Sequence, residues 1–316
     1  MSGLDPIRVA APPLRALADP TGGTQPPSPD LSLSDTFAAL AGQTIDDVKF
    51  YARAVETHEN AAPEALHQLR VSLRRLRALW WALQPLLEKH QCRIERDKFK
   101  QLADAAGETR NWDILRELVP TSTPGRSRRL ALTKAVDGQR ALAASASREA
   151  IGRGDIEGLL DRTLKNCLEQ LAARDYLPTL AKYAQKRVSR VARNLRKAGR
   201  RATRDVKAEY ASLHKVRISA KKLRYLTEFF SPSLGGRQDV ALERLGGLQE
   251  ALGELNDIVV SEALVAQHSV ELGSRKRVRK VIRGLDKKKK QKMRRARVVL
   301  RGTLKALHQL ATAASQ

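Results

Sequence analysis

The amino-acid sequence predicts an all-α protein, on three observations. Apolar residues recur at intervals of three and four, not two, which is the period of a helix and not of a half-buried strand. Seven of the 13 prolines fall within residues 1–30, and the text that follows is long stretches of Ala, Leu, Arg, Glu and Lys broken at Pro63, Pro85, Pro120, Pro124, Pro178 and Pro232. One eleven-residue phrase also occurs twice, HQLRVSLRRLR at 67–77 and HKVRISAKKLR at 214–224, each on an amphipathic stretch.

The elements follow in order. Residues 1–32, rich in Pro, Gly, Ser and Thr, read as a disordered leader. A first helix is expected over 34–58, where the proline-rich text ends, and a second over 63–89, where Pro63 followed by Glu64 suits a helix start. The periodic text then gives helices at 94–117, at 126–150 after Pro120 and Pro124, and at 155–172. Pro178 opens 177–203, the second copy of the phrase lies in 208–230, and two long helices, 238–270 and 275–312, complete the chain. Gly235-Gly236 and Gly246-Gly247 read as helix punctuation.

The repeat extends past the phrase. FKQLADAAGETRNWDIL follows the first copy and ALERLGGLQEALGELNDIVV the second, so that Gly107-Glu108 matches Gly253-Glu254 and Arg110-Asn111 matches Asn256-Asp257. The histidine-to-glycine spacing is 40 residues in one half and 39 in the other. Two matched segments in the same order imply a duplicated helical unit, with halves at about 33–174 and 175–316 that pack as a pseudo-symmetric pair.

On a helical wheel, at about 100° per residue, His67, Arg70, Arg74 and Arg77 share an arc of about 80°. Leu69, Leu73, Leu76, Trp80 and Leu83 form the apolar seam immediately beside them. His214, Arg217, Lys221 and Arg224 repeat the stripe beside Val216, Ala220, Leu223 and Phe230. A solvated charged face lies opposite the core, whereas these cations border it, and like charges packed there cost stability unless an anion neutralises them. Each stripe runs about 15 Å, which suits an extended anion better than a single phosphate. Arg75 and Lys222, about 80° from the histidine, point elsewhere. Arg187, Arg190 and Lys197 on one helix, and Arg283, Lys287, Lys290 and Arg294 on the last, are candidates for the same groove. For DKKKKQK at 286–292 an ordinary exposed face is the preferred reading.

Composition bounds the partner. Net charge is +25 and the pI is near 10.6, so a polyanion is expected: nucleic acid, an anionic membrane surface or a phosphate polymer. Cys92 and Cys167 are solitary, which supports neither a disulfide framework nor a zinc site. No apolar run reaches the ~18 residues of a membrane span and the N-terminus lacks a secretory pattern, so a cytoplasmic protein is expected.

The pattern HxxRxxxRRxR in the first half and HxxRxxxKKxRY in the second, each followed about 40 residues on by an Ala/Leu-Gly-Glu-x-(Arg/Asn)-(Asn/Asp) element, resembles the CHAD family of α-helical domains over about residues 34–312. The resemblance implies two four-helix bundles related by a pseudo-two-fold, a basic central channel that binds inorganic polyphosphate, and a place on polyphosphate granules. Carried over, it assigns phosphate contacts to His67, Arg70, Arg74, Arg77, His214, Arg217, Lys221 and Arg224, with Arg75 and Lys222 as secondary candidates. Asn111 stands where the family usually has Asp. The ExExK motif of the catalytic domain to which such proteins are often fused does not occur.

Catalysis has little support, since GxxxxGK[ST], GxGxxG, HExxH and a clustered acidic triplet are all missing. No enzyme activity, cofactor or metal is therefore expected. The rival is sequence-independent nucleic-acid binding, against which weigh aromatic residues at only 4%.

Overall fold

The computed structural model describes residues 32–57, 63–122, 126–204, 210–234 and 239–313. Ten α-helices run through them: α1 (Leu33–Thr57), α2 (Pro63–Leu83), α3 (Lys89–Ala105), α4 (Glu108–Ser122), α5 (Arg126–Gly152), α6 (Ile156–Ala172), α7 (Leu180–Arg204), α8 (Tyr210–Phe230), α9 (Asp239–Gln267) and α10 (Arg275–Ala313). Among the described residues there is no strand, so the chain is all-α as expected. The leader, Ser32 apart, lies outside the described residues, as do Gly235 and Gly236.

Local chemistry accounts for the helix starts. Ser32 Oγ accepts the Asp35 N–H at 3.1 Å and donates to Asp35 Oδ2 at 2.7 Å, a reciprocal cap on α1. Glu88 accepts the N–H groups of His90 and Gln91 to open α3, and Asp155 accepts that of Gly158 to open α6.

Three expected boundaries move. The helix expected over 63–89 ends at Leu83, because Pro85 offers no N–H to continue it, and residues 84–86 form a single 3-10 turn. The helix expected over 94–117 is two helices, broken at Ala106-Gly107. The break is braced from elsewhere in the chain: Ser147 Oγ donates to Ala105 O at 2.7 Å, and Arg70 Nη1 at 2.8 Å to Gly107 O, which also accepts the Asn111 N–H. Gly246-Gly247 punctuates nothing, since both residues lie inside α9 with open space where a Cβ would stand.

The main helix pairings are α1 on α2, α2 on α3, α4 on α5 and α1 on α6, then α7 on α8, α8 on α9 and α9 on α10. α2 meets α8 directly. Buried side chains form a large cluster drawn from α1, α2, α3, α5, α6, α7, α8, α9 and α10, and a smaller one in which Trp112, Leu115, Leu132 and Val136 of α4 and α5 meet Ile258, Val265, Val281 and Leu285 of α9 and α10. Trp80, fully buried, anchors the larger cluster: its ring is edge-on to Phe37 and Phe99 at 5.1 and 5.4 Å. Its indole N–H donates to Glu95 at 2.9 Å, and this buried carboxylate also accepts from Gln91 and Asn166, so its burial is fully compensated. Cys92 and Cys167 are buried free thiols whose pKa values rise through burial, that of Cys92 to about 11.

Candidate functional site

The apolar seams of α2 and α8 are buried as expected. Leu69, Leu73, Leu76 and Trp80 have no exposed surface, nor have Val216 and Ala220. The cations beside these seams are thereby held at the core's edge, and they face one cavity of about 520 Å³. α2 lends it Arg70, Arg74, Arg77 and Trp81, α8 lends His214, Arg217, Lys221, Lys222 and Tyr225, and α3 lends Arg96, Lys100 and Asp104. Eight Lys and Arg side chains thus line the cavity with a single carboxylate, and that one, Asp104, lies 3.7 Å from Lys100.

Burial acts on Arg70, Arg217 and Lys221 at its centre. Desolvation lowers the pKa of Arg70 and of Arg217, and Arg74 lowers both further. Lys221 responds most: burial, then the charges of Arg74, Arg217 and Arg70, push its pKa down to about 6. The opposing acid is Asp257 of α9, whose own carboxyl is raised by burial against the pull of Arg217 and Lys221. Arg217 Nε is buried with no hydrogen-bond partner among the described residues, and so is His67 Nδ1. His67 is pushed down by burial and then by Arg110. At the other end, Tyr210 O–H donates to Asn256 Oδ1 at 2.9 Å, so the 3.0 Å contact between Tyr210 and His214 Nδ1 has the histidine as donor. Burial lowers the pKa of His214, with Arg217 and Lys221 adding to the effect.

Two other carboxylates that might have neutralised the stripes are engaged elsewhere. Asp113 pairs with Arg140. Glu254 pairs with Lys292 at 2.8 Å and Arg295 at 3.3 Å. Chemically the cavity is a half-buried set of donors in excess of acceptors, and phosphate oxygens match it: guanidinium forks take two oxygens each and the ammonium takes one.

The CHAD domain family model matches residues 45–266, more than half of the chain and including both histidine phrases. The chain belongs to the CHAD family. A search of curated proteins gives an uncharacterized protein of Mycobacterium tuberculosis, strain H37Rv, 26% identical over 265 residues that cover 78% of this chain and 47% of that protein. The chain therefore spans about half the length of the curated relatives it matches. Among solved structures, the CHAD domain from the plant Ricinus communis superposes with a TM-score of 0.75 at 25% identity, covering 88% of this chain and 93% of that one. PptA from Streptomyces chartreusis superposes at 0.61 with 17% identity over 87% and 100% of the two chains, a likeness of fold alone.

Within this CHAD domain the expected site residues divide. Arg70, Arg74, Arg77, His214, Arg217, Lys221 and Lys222 are brought together in the cavity wall. His67 is next to it, close enough for Arg70 and Arg74 to depress its pKa. Arg224 leaves the stripe: its Nε donates to Glu228, four residues on, at 2.5 Å, and its Nη1 faces Gln249 at 3.4 Å. Arg75 turns to the Phe229 ring, 5.9 Å from its centroid. Arg187 and Arg190 line a second cavity of about 570 Å³ together with Trp81 and Lys222. Lys197 lies in a third, of about 490 Å³, walled by α7 alone. Arg283, Lys287, Lys290 and Arg294 are exposed on α10, Lys290 at 2.8 Å from Asp286.

Sequence reasoning missed Arg96, Lys100, Trp81 and Tyr225. The spacing of Arg96, Lys100 and Asp104, four apart on α3, was a readable signal of a shared face. Trp81 was not readable as a site residue, because what distinguishes it is tertiary: Arg187 Cζ and Lys222 Nζ stand 4.6 and 4.7 Å from its ring centroid.

Proposed function

We propose that this CHAD domain binds inorganic polyphosphate without catalysis, threading the polymer through the α2–α3–α8 cavity. The observation that carries the reading is the burial of the Lys221 ammonium among Arg70, Arg74 and Arg217, which face it with only Asp257 opposing. Keeping that lysine charged at neutral pH costs stability, and a polyanion in the cavity recovers it. Arg70, Arg74, Arg77, Arg217 and Lys221 make the central contacts, His67 and His214 cap the two stripes, and Arg96, Lys100 and Lys222 widen the donor wall.

A linear phosphate polymer suits these residues better than a nucleic acid. The lining presents few flat platforms for bases, and Trp81 already has Arg187 and Lys222 against its ring. The duplicated arrangement of two histidine stripes facing one slot is part of the same proposal, as is recruitment of the protein to cytoplasmic polyphosphate granules by this affinity. A binding role also fits a wall of donors whose one carboxylate stands beside Lys100.

The test is a competition at near-physiological salt between long-chain polyphosphate and duplex DNA, on the wild type and on a variant with Arg70, Arg74, Arg217 and Lys221 all changed to alanine. Polyphosphate displaces DNA far better than the reverse on the wild type, and the variant, still helical by circular dichroism, loses polyphosphate affinity. The reverse ranking, or an unchanged affinity in the variant, overturns the proposal.

A further inference from the structure

α5 packs through one face only. Leu132, Val136, Ser147 and Ile151 are buried on that face, and the charges at its edge, Asp137 and Arg140, are taken up by Arg116 and Asp113 of α4. The opposite face is exposed and carries Lys134, Gly138, Ala141, Leu142, Ser145 and Glu149 at helical spacing. Leu142 is 64% exposed, and Leu130, one turn before Lys134, is 72% exposed. The outward positions of α7 and α10 are mostly Arg and Lys, as a net charge of +25 leads one to expect, whereas no exposed residue of α5 between Lys134 and Glu149 is charged. Gly138 has open space where a Cβ would stand, so no contact within the chain calls for a glycine that destabilises its helix by up to about 1 kcal/mol.

The order of the charges along this face points to what covers it. Lys134 and Glu149 lie equally far from the point between Ala141 and Leu142, about 11 Å to either side. A second α5 laid antiparallel across that point brings Lys134 of each copy against Glu149 of the other, with Gly138 opposite Ser145 and Ala141 opposite Leu142. A parallel copy would set lysine on lysine and glutamate on glutamate. Among the described residues Lys134 has no carboxylate within ion-pair distance, and the Glu149 carboxylate meets Arg153, one turn on in its own helix. Two chains of charge +25 repel one another over most of their surfaces, so a second copy can approach only where charge is absent or alternates in sign.

We propose that two copies of this chain associate through α5, antiparallel about a two-fold axis between Ala141 and Leu142. The small residues Gly138, Ala141 and Ser145 let the helices approach closely, Leu142 of each copy is covered at the centre, and the paired Lys134 and Glu149 fix the direction. The contact runs along about 22 Å of helix between its two ion pairs, which makes it small and reversible, with a Kd expected on the order of tens of micromolar. It does not depend on what the central cavity binds.

Sedimentation velocity on the full chain, stripped of polyanion by a high-salt wash and measured at near-physiological salt, reads the association. The wild type is expected to pass from monomer to dimer as its concentration rises through the Kd. Leu142→Glu is expected to weaken the dimer at least about tenfold, and Lys134→Glu at least about fivefold, because each sets like charges face to face. Adding Glu149→Lys to Lys134→Glu exchanges the two signs and is expected to restore the wild-type Kd to within about threefold. Cross-linking reads the register: Cys92 and Cys167 are buried, so Ala141→Cys is expected to give a disulfide-linked dimer on oxidation, whereas Ala131→Cys, about 31 Å from its counterpart along the paired helices, is not. A wild type that stays monomeric throughout, a dimer indifferent to Leu142→Glu, a sign exchange that fails to restore association, or equal cross-linking at both positions overturns the inference. The substituted positions are exposed, so helicity by circular dichroism is expected to hold; should Leu142→Glu unfold the chain, the sign-exchange series decides.

Discussion

Lowering the pH from 8 to 6 is expected to tighten long-chain polyphosphate binding about fiftyfold, because the complex needs Lys221 charged and the free protein holds it neutral. The Lys221 pKa is pushed to about 6 by burial and by Arg74, Arg217 and Arg70, with Asp257 pulling the other way. The ammonium fraction of the free protein is then about one half at pH 6 and about one hundredth at pH 8, so each pH unit above neutrality lowers affinity about tenfold, or ~1.4 kcal/mol. At pH 7.5 charging the side chain costs roughly 2 kcal/mol, which the bound anion supplies. His67 and His214, both lowered mainly by burial, act in the same direction. The internal phosphates of the polymer are ionised throughout, so the protein alone sets the slope. Titration calorimetry in two buffers of different ionisation enthalpy reads the coupled proton directly, and about one proton taken up per complex is expected at pH 7.5. Lys221→Arg keeps the charge at every pH and flattens most of the profile. A wild type whose affinity ignores pH, or an arginine variant with an undiminished slope, would refute the coupling.

The remaining expectations are read by melting and binding. Without anion, the folded pKa of Lys221 lies below the unfolded 10.5, so the unfolded chain holds more protons between about pH 6 and 10.5 and stability rises with pH across that window; melting temperature should fall from pH 8 to 6.5 and added polyphosphate should abolish the trend. Lys221→Met is expected to raise the melting temperature of the ligand-free protein while weakening polyphosphate binding, since folding then no longer has to strip the buried lysine of its proton and the ligand loses a cation. Gly107→Ala places a Cβ 2.9 Å from Arg70 Cζ and 3.0 Å from Ala103 O. It should displace Arg70 from its carbonyl, cost about 1 kcal/mol of stability and weaken binding severalfold. Gly253→Ala, its sequence counterpart, meets nothing within 4 Å inside α9 and should stabilise by up to about 1 kcal/mol without affecting binding. Equal behaviour of the two alanine variants in thermal melts would contradict this account. Glu95→Ala leaves the buried Trp80 indole N–H without its acceptor and should cost about 3 kcal/mol in a denaturant titration.

That contrast between two matched glycines marks where the sequence was legible and where it was not. The cationic stripes were readable because their signal is local: a 3.6-residue period puts Arg70, Arg74 and Arg77 beside the Leu69–Leu73–Leu76 seam whatever the rest of the chain does. The break between α3 and α4 was not readable, because Leu102, Ala103 and Ala105 favour helix and one glycine does not end one. What holds the break open is distant in sequence, Arg70 at a separation of 37 and Ser147 at 42. Gly246-Gly247 misleads in the opposite sense: two glycines suggest a stop, yet the helix runs on through residues whose neighbours Leu245 and Leu248 are buried. Arg224 departs from its stripe for a local reason, a glutamate four residues on at Glu228, and that pairing was open to inspection.

The placement of the acids argues that the cationic slot is specified and not a by-product of basic composition. A chain with +25 net charge has too few carboxylates for its cations, so where they go is informative. They go outward: Lys49 to Asp161 and Arg53 to Glu157 join α1 to α6, Arg116 to Asp137 and Arg140 to Asp113 join α4 to α5, and Lys289 to Glu262 with Lys292 to Glu254 joins α10 to α9. Each of these pairs is at least partly solvated, where an ion pair contributes ~1 kcal/mol or less. The half-buried cations of α2 and α8 that line the cavity, where a carboxylate would matter most to the ligand-free fold, receive Asp104 and Asp257 at a distance and, at Gly107, a neutral carbonyl. Selection for stability alone would have reversed that arrangement. The charge left uncompensated around Arg74, Arg217 and Lys221 is what the proposed anion site calls for, with the stability forgone in the empty protein returned as affinity.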